Sequence, residues 1–308
     1  MNFIKREWII DSIIEFLRKL CFPKYIKILF DLYYDVFYSH VLKKNIVLMN
    51  KNLNETCYII GNGISLNNFD IKSLNNSFTM CSNELFKYKH YKKFNPKIHV
   101  IVEPFYGKIL GRKYYRETYD LYKGLYDESK NKSCLFFFHI SLKQFFSNNN
   151  LFQDRDVYYV NTVQDNYKKK SDLSSKFYFG DGAFSFMMGL SHYMGFKKII
   201  LIGCGYTYNP RQLYHCYSRY LFDKKKINEI TLLKEIKKIE HDSKLTINLY
   251  EIDQDENHYL PIFTVNYEND KLHQRHLNLN RFMKKNGVQI LNMLPSKKYK
   301  SPVFESFN

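Results

Sequence analysis

A glycine-rich turn directly after an apolar run is the first candidate for chemistry in this chain. Gly61, Asn62, Gly63 and Ser65 follow the run Cys57-Tyr58-Ile59-Ile60. Glycines let the chain turn tightly with no Cβ in the way, so backbone N–H groups can face a phosphate or a carboxylate. The segment has neither the third glycine of a dinucleotide fingerprint nor the Gly-Lys-Ser/Thr of a P-loop. It predicts a nucleotide-binding loop after a first strand, with a plain strand-to-helix turn as the alternative.

Similar polar residues follow other apolar runs. Ser82 and Asn83 end one such run, Glu103 ends another and Gly203 a third. Ligands of open α/β sheets bind at the carboxyl ends of the strands, so these residues are expected to gather at one edge. Neutral amides and hydroxyls outnumber acids among them, which suits a nucleotide whose phosphate is held by neutral donors. For Glu103, capping of the loop is the alternative.

The second half of the chain adds tyrosines and a histidine to this set. Tyr206, Tyr208 and Tyr214 lie shortly after the third run, and Asn257 and His258 lie in a polar stretch further on. They join the same edge if the chain returns across it. The chain has 27 tyrosines, so a tyrosine cluster can also arise without a function. For His258 the alternative is a histidine that caps a loop.

Apolar runs alternate with helical patterns from residue 55 onward. Residues 182–195 are predicted to be a helix that begins after Gly180-Asp181-Gly182 and ends at Gly195. This alternation predicts an α/β fold with a mainly parallel sheet flanked by helices. The predicted strands are 57–61, 77–82, 98–103, 134–139, 157–161, 198–203 and 288–292.

Two segments do not fit this alternation. Residues 1–48 place apolar side chains at helical spacing beside basic ones, which is typical of a helix lying in the plane of a membrane. Packing against the main domain or a second subunit is the alternative. Residues 205–256 are rich in tyrosine and then in charge, which suits a lid with a helix at 224–240. The predicted organisation is an N-terminal helical segment at 1–48 and one domain at 49–308 that carries the lid.

The composition narrows the choice of partners and location. The net charge of +17 predicts attraction to nucleic acid, anionic lipid or phosphorylated substrates. The lysines are scattered and no recognition motif accompanies them, so a nucleic-acid partner is not expected. The 6 cysteines show no Cys-x-x-Cys spacing, which indicates neither a zinc site nor a disulfide framework. Free thiols and the lack of a signal-peptide pattern favour the cytoplasm.

Several short motifs follow one another in a recognisable order. They are Asn62-Gly63-Ile64-Ser65-Leu66, Cys81-Ser82-Asn83-Glu84, Gly195-Phe196-Lys197-Lys198-Ile199 leading to Gly203, Asn257-His258-Tyr259 and Asn292-Met293-Leu294-Pro295. In this order, residues 55–306 resemble the bacterial sialyltransferases of glycosyltransferase family 42. They also resemble the related MptE-like/Maf-like proteins of lipopolysaccharide and flagellin glycosylation. Ile64 stands where the first motif of that family usually has proline.

The resemblance implies a single Rossmann-like, GT-A-like domain and a metal-independent, inverting transfer with no cofactor. The donor would be a CMP-activated nonulosonic acid, and the acceptor would be a sugar hydroxyl of a surface glycan, as in capsule or lipopolysaccharide synthesis. Such an enzyme would work on the cytoplasmic face of the inner membrane, either as a monomer or as a homo-oligomer. Asn83 would contact the ribose or the phosphate of the nucleotide. Gly61, Asn62, Gly63 and Ser65 would also bind the nucleotide. Together with the residues expected at the same edge, the predicted nucleotide-binding set further includes Ser82, Glu103, Gly182, Gly203 and Asn257.

The resemblance also implies catalytic roles. Tyr206, Tyr208 or Tyr214 would stabilise the departing phosphate, since preplaced hydroxyl donors can meet its developing charge. A neutral histidine would take the proton of the acceptor hydroxyl. The position of the family's catalytic histidine is Ile262 here. His258 is therefore the first candidate for the base.

Two other histidines and two other functions stay open. His273 and His276 are three residues apart on a predicted helix, so either could replace His258 as the base. Gly205 occupies a position where many relatives have an acid, which indicates a changed substrate. The alternative functions are an MptE-like nucleotide diphosphokinase, which would need acids to hold Mg²⁺, and a glycosyltransferase that uses a different nucleotide-sugar.

Overall fold

A computed structural model describes residues 34, 36–63, 66, 69–105, 112–129, 133–180, 182–204, 245–253, 258–265, 271–293 and 303–307. Four longer helices lie within these ranges: α1 (Arg112–Glu128), α2 (Leu142–Asn148), α3 (Ala183–Tyr193) and α4 (Lys271–Lys285). Shorter helical turns span Ser39–Leu42, Lys43–Leu48, Ile71–Leu74, Asn83–Lys87 and Tyr91–Phe94.

The fold is built on a 9-stranded sheet in which every neighbouring pair of strands is parallel. Its strands are β1 (Thr56–Ile60), β2 (Phe78–Ser82), β3 (Ile98–Ile101), β4 (Leu135–His139), β5 (Val157–Thr162), β6 (Lys176–Phe177), β7 (Lys198–Ile202), β10 (Gln289–Met293) and β11 (Glu305–Phe307). A separate antiparallel hairpin is formed by β8 (Leu245–Asp253) and β9 (His258–Val265). The order across the large sheet is β11-β10-β7-β1-β2-β3-β4-β5-β6.

The α/β fold predicted from the sequence is confirmed. Each predicted strand is present, with ends that differ by one or two residues, and the predicted helix at 182–195 is α3. The sequence did not predict β6, the β8–β9 hairpin or β11. Strands of two or three residues are too short to show a periodic pattern. β8 does show a periodic pattern, since Leu245, Ile247 and Leu249 alternate with Thr246 and Asn248. The composition of residues 205–256 nevertheless predicts a lid there, and not a strand.

Both faces of the sheet are covered, and the strand sequences explain why. Phe137 belongs to the core on the face covered by α3 and α4, whereas Phe136 and Phe138 belong to the core on the face covered by α1 and α2. Successive side chains of a strand point to opposite faces, so a strand covered on both sides must be apolar throughout. Continuous runs such as Leu-Phe-Phe-Phe in β4 follow from this arrangement.

The C-terminal part of the predicted N-terminal segment packs on the sheet. Leu42 and Leu48 are buried. The Asn45 carboxamide nitrogen donates to the backbone oxygens of Tyr159 and Leu173, at 2.7 and 2.8 Å. Leu42, Asn45 and Leu48 are therefore part of the core of the domain. Residues 1–33 lie outside the described ranges, as do the predicted helix at 224–240 and most of the predicted lid.

No helix in the described part of the chain combines the length and the apolar character needed to span a bilayer.

Candidate functional site

The strand order reverses at β1, and this reversal defines the candidate site. The chain builds β1 to β6 outward in one direction, and β7 then returns to pair with the other side of β1. In open α/β sheets, ligands bind in the crevice at the carboxyl edge beside such a switch point. Gly61, Asn62 and Gly63 follow β1 there, and Gly203 follows β7.

The loops after β1 and β7 pack closely against each other, and the Cys204 side chain takes part in this contact. Gly203 has φ +66°, a left-handed conformation that glycine adopts without strain. A Cβ added to Gly61 would lie 2.5 Å from the Gly203 carbonyl oxygen, and a Cβ on Gly203 would lie 2.9 Å from the Gly61 oxygen. Neither position has room for a side chain. Both glycines are therefore required by the close packing of the two loops.

One expectation about this loop is wrong. The sequence predicted that backbone N–H groups of the glycine turn face a ligand. The Gly61 N–H instead donates to the Ile202 oxygen at 2.7 Å, and the Gly63 N–H donates to the Gly203 oxygen at 2.8 Å. These hydrogen bonds continue the parallel ladder between β1 and β7 past the ends of the strands. The two N–H groups are thus used by the fold and are not available to hold a phosphate.

Two asparagine side chains at this edge of the sheet have polar atoms that are unpartnered within the described part of the chain. The Oδ1 atoms of Asn62 and Asn83 are buried and have no hydrogen-bond partner among the described residues. Other asparagines share this property, among them Asn95 before β3, but Asn62 and Asn83 follow adjacent parallel strands at the carboxyl edge. A buried polar atom without a partner costs about 1–3 kcal/mol. A ligand that donates hydrogen bonds to both oxygens would recover that cost.

Asn83 is held from below by a histidine that the sequence did not single out. His99, in the middle of β3, is fully buried, and its Nε2 lies 2.8 Å from the Asn83 backbone oxygen. Its Nδ1 lies 2.9 Å from the Tyr91 hydroxyl. Burial lowers the pKa of His99 to about 4, so the ring is neutral at pH 7. A histidine inside the apolar run Ile-His-Val-Ile was the signal that could have identified it.

The other predicted nucleotide-binding residues occupy different positions around this edge. Ser82 is the last residue of β2 and is buried. Glu103 lies two residues beyond the end of β3 and is exposed. Gly182 precedes α3 with φ +121°. Ser65, Asn257, Tyr206, Tyr208 and Tyr214 lie outside the described residues.

A carboxylate that the sequence missed lies beside the start of α3. Asp165 follows β5 by three residues, and its Oδ2 accepts hydrogen bonds from the Ser185 hydroxyl at 2.5 Å and the Tyr167 hydroxyl at 2.6 Å. These donors hold the carboxylate near the first turn of α3. Its position shortly after the end of β5 was the sequence signal that could have identified it.

The candidate histidines lie on two different elements. His258 is the first residue of β9 and is paired with Asp253 of β8, so it belongs to a hairpin. His273 and His276 both lie on α4, as predicted. The His276 ring packs edge-on against Phe184 in the first turn of α3, with 4.9 Å between the ring centroids. Of the two α4 histidines, His276 is thus placed by its contacts at the start of α3.

Cys204 also lies at this edge of the sheet. Burial raises the pKa of Cys204, which lies beside Gly61, to about 12, so its thiol is protonated at neutral pH. Within the described ranges, no group of three or more histidine, cysteine, aspartate or glutamate residues is arranged to hold a metal ion.

Known proteins were compared with the chain. No protein-family model matches it, and no curated protein matches it. Among solved structures, it is similar to a Maf glycosyltransferase from Magnetospirillum magneticum, with a TM-score of 0.39 and 9% sequence identity. The match covers 84% of this chain and 37% of that protein, so the chain corresponds to little more than a third of its length.

Proposed function

We propose that this chain is a glycosyltransferase whose nucleotide-sugar donor binds at the carboxyl edge of β1, β2 and β7. The observation that carries the proposal is the pair of buried carboxamide oxygens of Asn62 and Asn83, which follow adjacent strands close to the Gly61–Gly203 contact. Ribose hydroxyls donate hydrogen bonds, and amide oxygens accept them. A nucleoside therefore suits these two acceptors.

The finer proposal names the donor. The motif order resembles that of glycosyltransferase family 42, which supports a CMP-activated nonulosonic acid as the sugar donor and a surface glycan as the acceptor. CMP is a good leaving group when hydroxyl donors stabilise its phosphate. The proposed transfer accordingly uses no metal or other cofactor. Tyr206, Tyr208 and Tyr214 are the proposed donors to that phosphate.

The proposed reaction is a single displacement. The acceptor hydroxyl oxygen forms a bond to the anomeric carbon of the donor sugar, while the bond from that carbon to the CMP phosphate oxygen breaks. The electron pair of the broken bond leaves with CMP, and the hydroxyl proton passes to His258 as general base. Because the oxygen attacks opposite the leaving group, the anomeric configuration is inverted. Asn62 and Asn83 keep the nucleoside in place throughout.

The cytoplasmic location and the membrane partner are part of the same proposal. Surface glycans are built on lipid carriers, so an enzyme of this kind works beside the inner membrane. Exposed apolar side chains cluster in residues 36–53, where Val47 is 63% and Ile46 is 56% exposed. Lys43, Lys44 and Lys51 are exposed in the same stretch. This combination of apolar and cationic groups supports binding to an anionic lipid surface.

A nucleotide panel tests the proposed function. CMP, CDP, UDP, GDP, ADP and GTP are compared by thermal shift, each with and without Mg²⁺. A ligand at about a hundred times its Kd adds roughly 2.7 kcal/mol to the free energy of unfolding, which is a shift of several degrees. Selective stabilisation by CMP without Mg²⁺ is expected. UDP or GDP selectivity would change the donor, and Mg²⁺-dependent GTP or ADP binding would favour the diphosphokinase.

Two asparagine variants test whether the nucleotide binds at this edge of the sheet. Asn83→Gly removes the carboxamide from a residue with φ +53°, and Asn95→Gly does the same at φ +45° before the amino end of β3. We expect Asn83→Gly to weaken CMP binding about fivefold, the value of one hydrogen bond. Asn95→Gly is the matched control and should bind CMP as the wild type does. Equal affinities in both variants would contradict this location of the site.

A further inference from the structure

A buried hydrogen-bonded chain lies beneath the carboxyl end of β2. It runs from the Tyr91 hydroxyl to the His99 ring and on to the backbone oxygen of Asn83. Tyr91 is 1% and His99 is 0% exposed. The surroundings are apolar, since the His99 ring stacks on the Phe136 ring at 29° and Tyr91 packs edge-on against Phe94. Most polar groups buried this deeply are hydrogen-bonded, as these are.

The partners decide the tautomer of His99. A carbonyl oxygen only accepts, so Nε2 carries the proton and donates to Asn83. Nδ1 is then the acceptor, and the Tyr91 hydroxyl donates to it. The Cys81 thiol, 3.3 Å from the same Nδ1, is a second and weaker donor. Burial lowers the pKa of His99 to about 4 and raises the pKa of Tyr91, so both groups keep these roles at neutral pH.

The acceptor at the end of this chain has an unusual backbone conformation. Asn83 has φ +53° and begins the helical turn Asn83–Lys87 directly after β2. The left-handed conformation costs an ordinary residue about 1–2 kcal/mol, and asparagine tolerates it better than most. In this conformation the Asn83 carbonyl turns towards β3 and His99. The bond from His99 therefore acts on the residue whose carboxamide is proposed to bind the nucleotide.

We infer that His99 is a positioning residue: by holding the Asn83 carbonyl, with Tyr91 holding the ring, it fixes the position of the Asn83 carboxamide at the carboxyl end of β2. The inference rests on the proposed function for its nucleotide. It assigns His99 and Tyr91 no contact with the donor or acceptor, and no part in proton transfer. Their contribution is to affinity, through Asn83.

The test combines variants of the chain with a packing control. His99→Leu removes both hydrogen bonds, Tyr91→Phe removes one hydroxyl, and His99→Gln retains an amide donor at about the same reach. Phe94→Leu is the control, because Phe94 is buried against the same tyrosine ring but makes no hydrogen bond with its side chain. CMP affinity is measured by calorimetry for each variant, and folding by urea denaturation. Tyr91→Phe is the variant of choice should His99→Leu fail to fold.

A specific pattern of affinities is expected. His99→Leu should bind CMP roughly five- to tenfold more weakly, Tyr91→Phe about twofold more weakly, and His99→Gln close to the wild type. In an Asn83→Gly background, His99→Leu should cause no further loss, since its effect passes through Asn83. Two results would overturn the inference. One is an equal loss in Phe94→Leu, and the other is a full additional loss in the Asn83→Gly background.

A ligand-free measurement separates this inference from the proposed function. The side-chain amide resonances of Asn83 are recorded by NMR without nucleotide. His99→Leu should shift them or split them into two sets, while Phe94→Leu should leave them in place. If the wild type binds no nucleotide but this pattern holds, the proposed function fails and the positioning role stands. If CMP binds and the resonances do not respond to His99→Leu, the positioning role is refuted and the proposed function stands.

Discussion

At the residue scale, the crevice is defined by groups that carry no charge. Asn62 and Asn83 carry neutral carboxamides, and His99 beneath them is neutral because burial lowers its pKa to about 4. Neutral acceptors do not attract anions, and they bind ligands by accepting hydrogen bonds. The proposal of a nucleoside rather than a simple phosphate as the ligand rests on this. The overall charge of +17 then contributes attraction over longer distances and little selectivity.

The base can be identified by two histidine substitutions. His258→Ala should abolish sugar transfer from a CMP-activated donor to a labelled glycan, yet leave CMP affinity nearly unchanged, because a general base contacts the acceptor rather than the nucleotide. His276→Ala is the comparison, since its ring packs against Phe184 at the start of α3. Turnover and CMP affinity are measured for both. Loss of turnover in His276→Ala alone would move the role of base to α4.

Two buried histidines predict a loss of stability in acid. Burial lowers the pKa of His99 to about 4 and that of His139 to about 3, while an unfolded histidine titrates near pH 6.5. The unfolded state therefore binds protons first as the pH falls. The free energy of unfolding should decrease from about pH 6.5 downward, by up to about 3 kcal/mol for His99 by pH 4. Urea denaturation at pH 7 and pH 4.5 measures this.

His99→Gln supplies the matching comparison, because glutamine does not titrate. The difference in unfolding free energy between pH 7 and pH 4.5 should be smaller in this variant than in the wild type by most of the His99 contribution. An unchanged difference would show that the native ring accepts a proton in this range, contrary to its burial.

At the element scale, the close approach of the loops after β1 and β7 makes Gly203 difficult to replace. Gly203→Ala would hold an alanine in a left-handed conformation and place its Cβ 2.9 Å from the Gly61 oxygen, which is too close. Gly287, between α4 and β10, has φ +71° but an open space where a Cβ would lie. Gly287→Ala should thus lower the free energy of unfolding by about 1–2 kcal/mol. Gly203→Ala should lower it by a further 1–3 kcal/mol or so. Denaturation of both variants measures the difference, and equal losses would contradict the contact.

How far the sequence predicts this molecule also depends on the element. The strands of the sheet interior were predictable because runs such as Leu-Phe-Phe-Phe in β4 must be apolar on both faces. Residues after strand ends were predictable for the same reason, since a parallel sheet places them at one edge. The use of the Gly61 and Gly63 N–H groups was not, because a one-dimensional pattern does not show which strand lies next to β1. The proposed role of His99 was hidden likewise, since its partner Asn83 is 16 residues away in sequence, in the turn that follows the neighbouring strand.

At the scale of the whole molecule, a truncation after residue 48 would not test membrane binding alone. Removing residues 1–48 would also remove Leu42, Asn45 and Leu48 from the core. Substitution at the surface is the cleaner test of membrane binding. The double substitution Ile46→Ser and Val47→Ser replaces two exposed apolar side chains. It should reduce partition onto phosphatidylglycerol-containing vesicles about tenfold or more, given roughly 1.5–3 kcal/mol for each apolar side chain fully buried.

The control for this substitution is Tyr115→Ser, which removes a 39% exposed aromatic side chain of α1 that also contacts Phe105 and Phe145. It should bind the vesicles as the wild type does, and neither protein should bind pure phosphatidylcholine strongly, since the lysines need an anionic surface. Unchanged vesicle binding with an altered oligomeric state in the double variant would assign the surface to a second copy of the chain instead.

The lengths of the outermost strands bear on how this aromatic-rich protein stays dispersed. One margin of the large sheet is β6, with 2 residues, and the other is β11, with 3. An edge strand has unpaired backbone N–H and C=O groups that can pair with another chain, and long flat edge strands promote aggregation. Strands this short present too few such groups to recruit a foreign strand. Apolar sequences such as β4, which in isolation would stack readily into cross-β ribbons, are confined between neighbours on both sides.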